Sequence, residues 1–76
     1  MRIICFTIVV DDCSLSPEEF YTSLKASYLP SAEFWTKVNV KQGYYPKERH
    51  VVTEDRRYLP NILNAIDNLL NRLGKE

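Results

Sequence analysis

Residues 2–10 read Arg2-Ile3-Ile4-Cys5-Phe6-Thr7-Ile8-Val9-Val10, and this run decides the fold class. It is rich in Ile and Val and too short for a buried helix, which predicts a β-strand. Ile4, Phe6, Ile8 and Val10 fall on one face and Ile3, Cys5, Thr7 and Val9 on the other. Both faces are largely apolar, as in a strand with neighbours on either side, so a central position in the sheet is expected.

Outward from this strand, Ser16-Pro17-Glu18-Glu19 carries the marks of a helix start. A serine stands at the N-cap, a proline at the first helical position and a glutamate where a capping box needs one. The helix is predicted from Pro17 to Tyr28, with Phe20, Leu24 and Tyr28 facing the core and Pro30 ending it. Residues 33–41 (EFWTKVNVK) alternate and predict a second strand. On it, Phe34, Thr36, Val38 and Val40 share one face, and Trp35, Lys37, Asn39 and Lys41 the other. Gln42-Gly43 opens a turn, and a third strand over Arg49–Thr53 is expected to close a hairpin. From Pro60 to Leu73 a stripe of Ile62, Ile66, Leu69 and Leu73, widened by Leu63 and Leu70, predicts a second helix stopped by Gly74. Its polar side is mostly asparagine, a poor helix former, so it depends on packing.

The expected fold class is therefore α+β: a two-layer sandwich of β-α-β-β-α order, a small mixed sheet with both helices on one face. The first two strands are expected to pair in parallel through a right-handed crossover. This order resembles that of a ferredoxin-like domain without its last strand, a likeness of fold that carries no function.

The chain has 76 residues, 45% hydrophobic and 26% charged, which predicts one soluble domain over residues 1–76 with a thin core. Ten basic and ten acidic residues cancel, excluding a strongly basic nucleic-acid binder or an acidic mimic of DNA. The charge is polarised, however. Residues 1–35 hold two basic against five acidic residues, and residues 36–57 six against three. Cys5 and Cys13 are too few for a disulfide framework and fit no zinc spacing. The apolar start is followed by Asp11-Asp12 rather than a small-residue cleavage site, and no membrane span is present, so a cytoplasmic protein is expected.

No catalytic constellation is assembled. A Cys13–His50 pair has no orienting third residue, adjacent Asp11 and Asp12 point to opposite sides, and no glycine-rich phosphate loop occurs. No enzyme activity, cofactor or metal is expected. If the helices cover the Ile4–Val10 face, the opposite face carries Ile3, Cys5, Thr7 and Val9 beside Trp35, Lys37 and Asn39. That face would serve as a contact surface, unless the loop from Gln42 to Lys47 folds over it or two copies meet through it.

The segment from Phe34 to Tyr58 also interleaves aromatics with six basic residues. The candidate partner-binding residues are Trp35, Lys37, Lys41, Tyr44, Tyr45, Lys47, Arg49, Arg56 and Arg57. Rings between basic residues suit stacked bases and phosphates, and equally suit a protein interface. Neutral overall charge favours a protein partner, with nucleic acid second and a homodimer third. The expected function is that of a small non-enzymatic module that binds a larger protein or complex. It would act in the manner of inhibitors or modulators encoded by phage or other mobile elements.

Overall fold

The computed structural model describes residues 4–74 of the chain. Strand β1 (Phe6–Val10) leads to helix α1 (Pro17–Ser27), short helix α2 (Ala32–Thr36), strands β2 (Val38–Gln42) and β3 (Arg49–Thr53), a 3-10 turn (Arg56–Tyr58) and helix α3 (Leu59–Leu73). The strands form one three-stranded antiparallel sheet in the order β1-β3-β2.

The α+β class and the hairpin follow the sequence, whereas the place of β1 does not. It is an edge strand, paired antiparallel with β3 in register Phe6↔Thr53, Ile8↔Val51, Val10↔Arg49. β1 and β2 still run in the same direction, but β3 inserts between them, so the expected parallel pair, and with it the mixed sheet, is replaced by two antiparallel pairs. A hairpin partner that folds back into the gap bonds to both neighbours at once, which satisfies both rows of its backbone groups.

All helices add to one core on one face of the sheet. Phe20 and Leu24 of α1, Phe34 and Trp35 of α2, and Ile62, Ala65, Ile66 and Leu69 of α3 are buried together with Val10, Val38 and Val51. Burying each large side chain stabilises the fold by about 1.5–3 kcal/mol. Helix α1 packs on β2 and on α3. It starts where the sequence places it: the Ser16 hydroxyl accepts from the Glu19 N–H at 3.2 Å, with Pro17 at the first turn, and such a cap stabilises by about 1 kcal/mol. Before it, Asp12 takes a left-handed φ of 55°, reversing the chain as it leaves β1. Helix α3 ends at Gly74, whose N–H bonds the Leu70 carbonyl, and with φ −75° this glycine does not use the left-handed region.

Residues 33–41 do not form one strand. Pro30-Ser31 restarts the helix layer: the Ser31 hydroxyl accepts from the Phe34 N–H at 3.4 Å, opening α2, and the strand begins only at Val38. The alternation of Phe34, Thr36 and Val38 is equally compatible with one helical turn, and the cap decides between them.

Candidate binding face

The inner face of the sheet carries Phe6, Ile8 and Val10 on β1, Arg49, Val51 and Thr53 on β3, and Val38, Val40 and Gln42 on β2. The outer face is left open, among the described residues, by every helix. It consists of two rows read directly from the register: Thr7–Val52–Asn39 and Val9–His50–Lys41. Thr7, Val9, Asn39 and Lys41 are exposed, while His50 and Val52, on the central strand, are half-buried by their neighbours.

Strand alternation thus makes a patch with Val52 and His50 on the central strand, Thr7 and Val9 on one edge and Asn39 and Lys41 on the other. The expected open face is present with Thr7, Val9 and Asn39 on it and Cys5 exposed nearby, while Ile3 lies outside the described residues.

The hairpin connection extends this patch at one end. Gly43 N–H bonds the Glu48 carbonyl and Glu48 N–H the Tyr45 carbonyl, which holds the loop as a compact turn. His50 Nε2 lies 3.0 Å from Glu48 Oε1, so the imidazole and carboxylate form a hydrogen-bonded pair at the loop's base. A Cβ at Gly43 would fall 2.6 Å from that same carboxylate oxygen and against the imidazole, so a larger residue there would displace the Glu48–His50 pair. Tyr44 is 94% exposed and lines a shallow pocket with Gln42, Gly43 and His50, which joins its ring to the open face. Tyr45, also exposed, lines a cleft with Asp11, Asp12, Pro46, Lys47 and Glu48. The loop does not hide its tyrosines against the sheet.

The sequence-expected binding residues are dispersed by the fold. Trp35 is corrected from the open face to the core: it is 7% exposed, set edge-on to Tyr21 at 5.9 Å and to Phe34 at 4.8 Å. Phe34 in turn meets Tyr28 and Tyr58, so the aromatics of this region build an internal cluster, and only Tyr44 and Tyr45 present rings to solvent.

Arg49 is corrected likewise, from partner contact to internal clamp. It is 5% exposed on the inner face, and its guanidinium donates to the carbonyls of Pro46, Glu48 and Leu15, with Nε left unpartnered. It ties the hairpin loop to the segment entering α1, alongside the Cys13 N–H bond to the Lys47 carbonyl.

Lys37 is exposed but caps the C-terminus of α2 rather than standing on the sheet. Arg56 and Arg57 lie in the 3-10 turn beyond Thr53, at the opposite end of β3 from Tyr44, Tyr45 and Lys47. Five strand residues separate these ends, about 17 Å. Arg57 is moreover paired, its Nη2 2.7 Å from Asp55 Oδ2. Hydrogen bonds from the Arg57 side chain, and then from its backbone N–H, hold the Asp55 carboxyl down at about 2, and the nearby carboxylate raises Arg57. Lys41, Tyr44, Tyr45 and Lys47 stay at the hairpin end of the sheet, with Tyr44 and the Tyr45–Lys47 pair lining separate clefts, and all four are apart from Lys37, Arg56 and Arg57.

Cys13 and His50 do not converge either: the thiol is buried in the helix-side core and the imidazole stands on the open face. Missed by the sequence was Val52, whose place at the centre of the open face depends on β3 being the middle strand. Compared with family models, curated proteins and solved structures, the chain matches none.

Proposed function

We propose that this protein is a cytoplasmic, non-enzymatic interaction module that binds a larger protein through the open sheet face and the adjoining Tyr44–Tyr45 loop. The observation that carries this reading is the uncovered patch of Val9 and Val52, bordered by Lys41 and His50 and continued by a 94% exposed tyrosine. Interface cores favour apolar residues and tyrosine within a polar rim, which the exposed rings of Tyr44 and Tyr45 would supply. Action as an inhibitor or modulator, in the manner of small proteins carried by phage or other mobile elements, belongs to the same proposal. Division of the basic residues between the two ends of the sheet speaks for a protein rather than a nucleic-acid strand, since a phosphate track needs a continuous row of charge.

The test is capture of binding proteins by the tagged chain from its host's lysate, with and without nuclease, beside Tyr44→Ala and Val52→Lys. A nuclease-resistant protein lost from both variants supports the face. Equal capture by all three chains removes it, and material lost with nuclease transfers the function to nucleic acid.

A further inference from the structure

The two edges of the sheet are unlike. β2 ends in Lys41-Gln42, and Trp35 of α2 lines a groove with its Val38 and Val40, so that edge is charged and flanked. β1 has neither protection. Its residues Phe6-Thr7-Ile8-Val9-Val10 contain no charge, no proline and no bulge, and only its β3 side is paired among the described residues. An edge of this kind offers unpaired N–H and C=O groups to any extended chain.

Its apolar side chains are also incompletely covered. Phe6 and Ile8 on the inner face are half-buried although they point to the core side, Val9 is 49% exposed, and Ile4 just before the strand is exposed.

Helix α3 adds a second apolar strip on the same side. Asn68 and Arg72 donate to Ser27 of α1 and so mark the flank of α3 turned toward α1. At about 3.6 residues per turn, Leu63 and Leu70 project roughly 140–180° around the helix from that flank. Because α1 packs on β2, the flank of α3 opposite α1 is the one on the β1 side of the sandwich. There Leu63 and Leu70 are 50% and 45% exposed, bordered toward solvent by Asp67 and Asn71.

We infer that the β1 edge pairs with β1 of a second copy, antiparallel across a two-fold axis, to give a continuous six-stranded sheet with the two α3 helices meeting over the seam. The occupant is set by what the edge presents. An uncharged strand placed antiparallel on itself about Ile8 sets Phe6 opposite Val10, Thr7 opposite Val9 and Ile8 opposite its own copy with no like charges opposed, and a chain of balanced charge does not repel its twin. The same two-fold operation brings each Leu63–Leu70 strip to its symmetry mate, so strand and helix layers are covered by one self-complementary contact. The open outer faces of both copies then lie side by side on one surface, which the proposed binding reading does not need but would use.

The test is the molecular mass in solution by sedimentation velocity across micromolar concentrations, joined to hydrogen exchange of the β1 amides. The wild type is expected at twice the monomer mass, with β1 amides whose protection rises with concentration. Leu63→Glu with Leu70→Glu, and separately Val9→Lys, are expected to weaken self-association by at least about tenfold, since the first gathers glutamates over the seam and the second sets two lysines diagonally across it. All these positions are exposed in the single copy, and unchanged far-UV circular dichroism confirms folding. Val52→Lys, on the central strand, is expected to leave the dimer intact. A monomer at every concentration overturns the inference. So does a dimer broken by Val52→Lys, which would place the contact on the open face instead. β1 amides that become protected only when a different protein is added would assign the edge to that partner's strand and overturn pairing with a second copy.

Discussion

The two faces of the sheet carry chemically similar residues to opposite ends. Val51 and Val52 are adjacent valines, and Arg49 and Lys41 are basic residues close to the hairpin turn. Yet Val51 and Arg49 are buried on the inner face, whereas Val52 is only half-covered and Lys41 is exposed on the outer one. Residue type did not sort them. The pleat alternates side chains with a period of two, and the helix layer closes only one face, so a single step along the chain changes structural material into surface.

The sharpest way to break this comparison is at the basic pair. Arg49→Ala removes a buried guanidinium shared by three carbonyls and frees the hairpin loop from the entry to α1, an expected loss of about 2–3 kcal/mol. Lys41→Ala should change stability by less than about 0.5 kcal/mol. Urea denaturation of the two variants measures the difference, and equal losses would mean that the inner clamp contributes nothing beyond its charge.

A second pair refines it. Val51→Ala leaves a cavity beneath the helices and should cost about 2 kcal/mol, from two lost methyl groups and incomplete collapse. Val52→Ala on the outer face should cost about 0.5 kcal/mol or less. A larger loss at Val52 in the same denaturation experiment would show that something covers the outer face in solution.

The smallest effect contrasts Arg49 with Arg57, a guanidinium held by a carboxylate in solvent. Asp55 titrates at about 2 in the folded chain against 3.8 ordinarily. Its contribution is therefore fully present above the ordinary value and is lost as pH falls through about 2. Thermal midpoints of wild type and Asp55→Asn should differ slightly near neutrality and converge as the pH approaches 2. A gap that persists at that pH would show that Asp55 acts through something other than its charge.

Much of the secondary structure was legible because its causes are local. Ser16-Pro17 starts α1 by capping and fixed φ, the Ile62–Leu69 stripe makes α3, and Gly43 marks the hairpin. Phe34-Trp35 was not, because three or four alternating residues fit a strand and a helical turn alike, and Ser31 settles the choice through a hydrogen bond three residues away. Of the residues on the open face, Thr7, Val9, Asn39 and Lys41 were legible from strand alternation, and the exposed Tyr44 and Tyr45 from the interleaving of aromatics with basic residues. Trp35 and Arg49 were placed on the surface by residue type and are buried, since an aromatic cluster and a ring of carbonyls were built around them by distant parts of the chain.

By itself, then, the sequence determined the α+β class, where α1 and α3 begin, the β2–β3 hairpin and the existence of one face with no helix over it. Tertiary structure alone decided that β3 is the middle strand, that β1 is an open edge, and which residues of the basic–aromatic segment reach solvent. The physical reason is range. Capping, turn geometry and periodicity act within a few residues, whereas strand order is set by backbone hydrogen bonds between segments some forty residues apart, such as Val10 and Arg49.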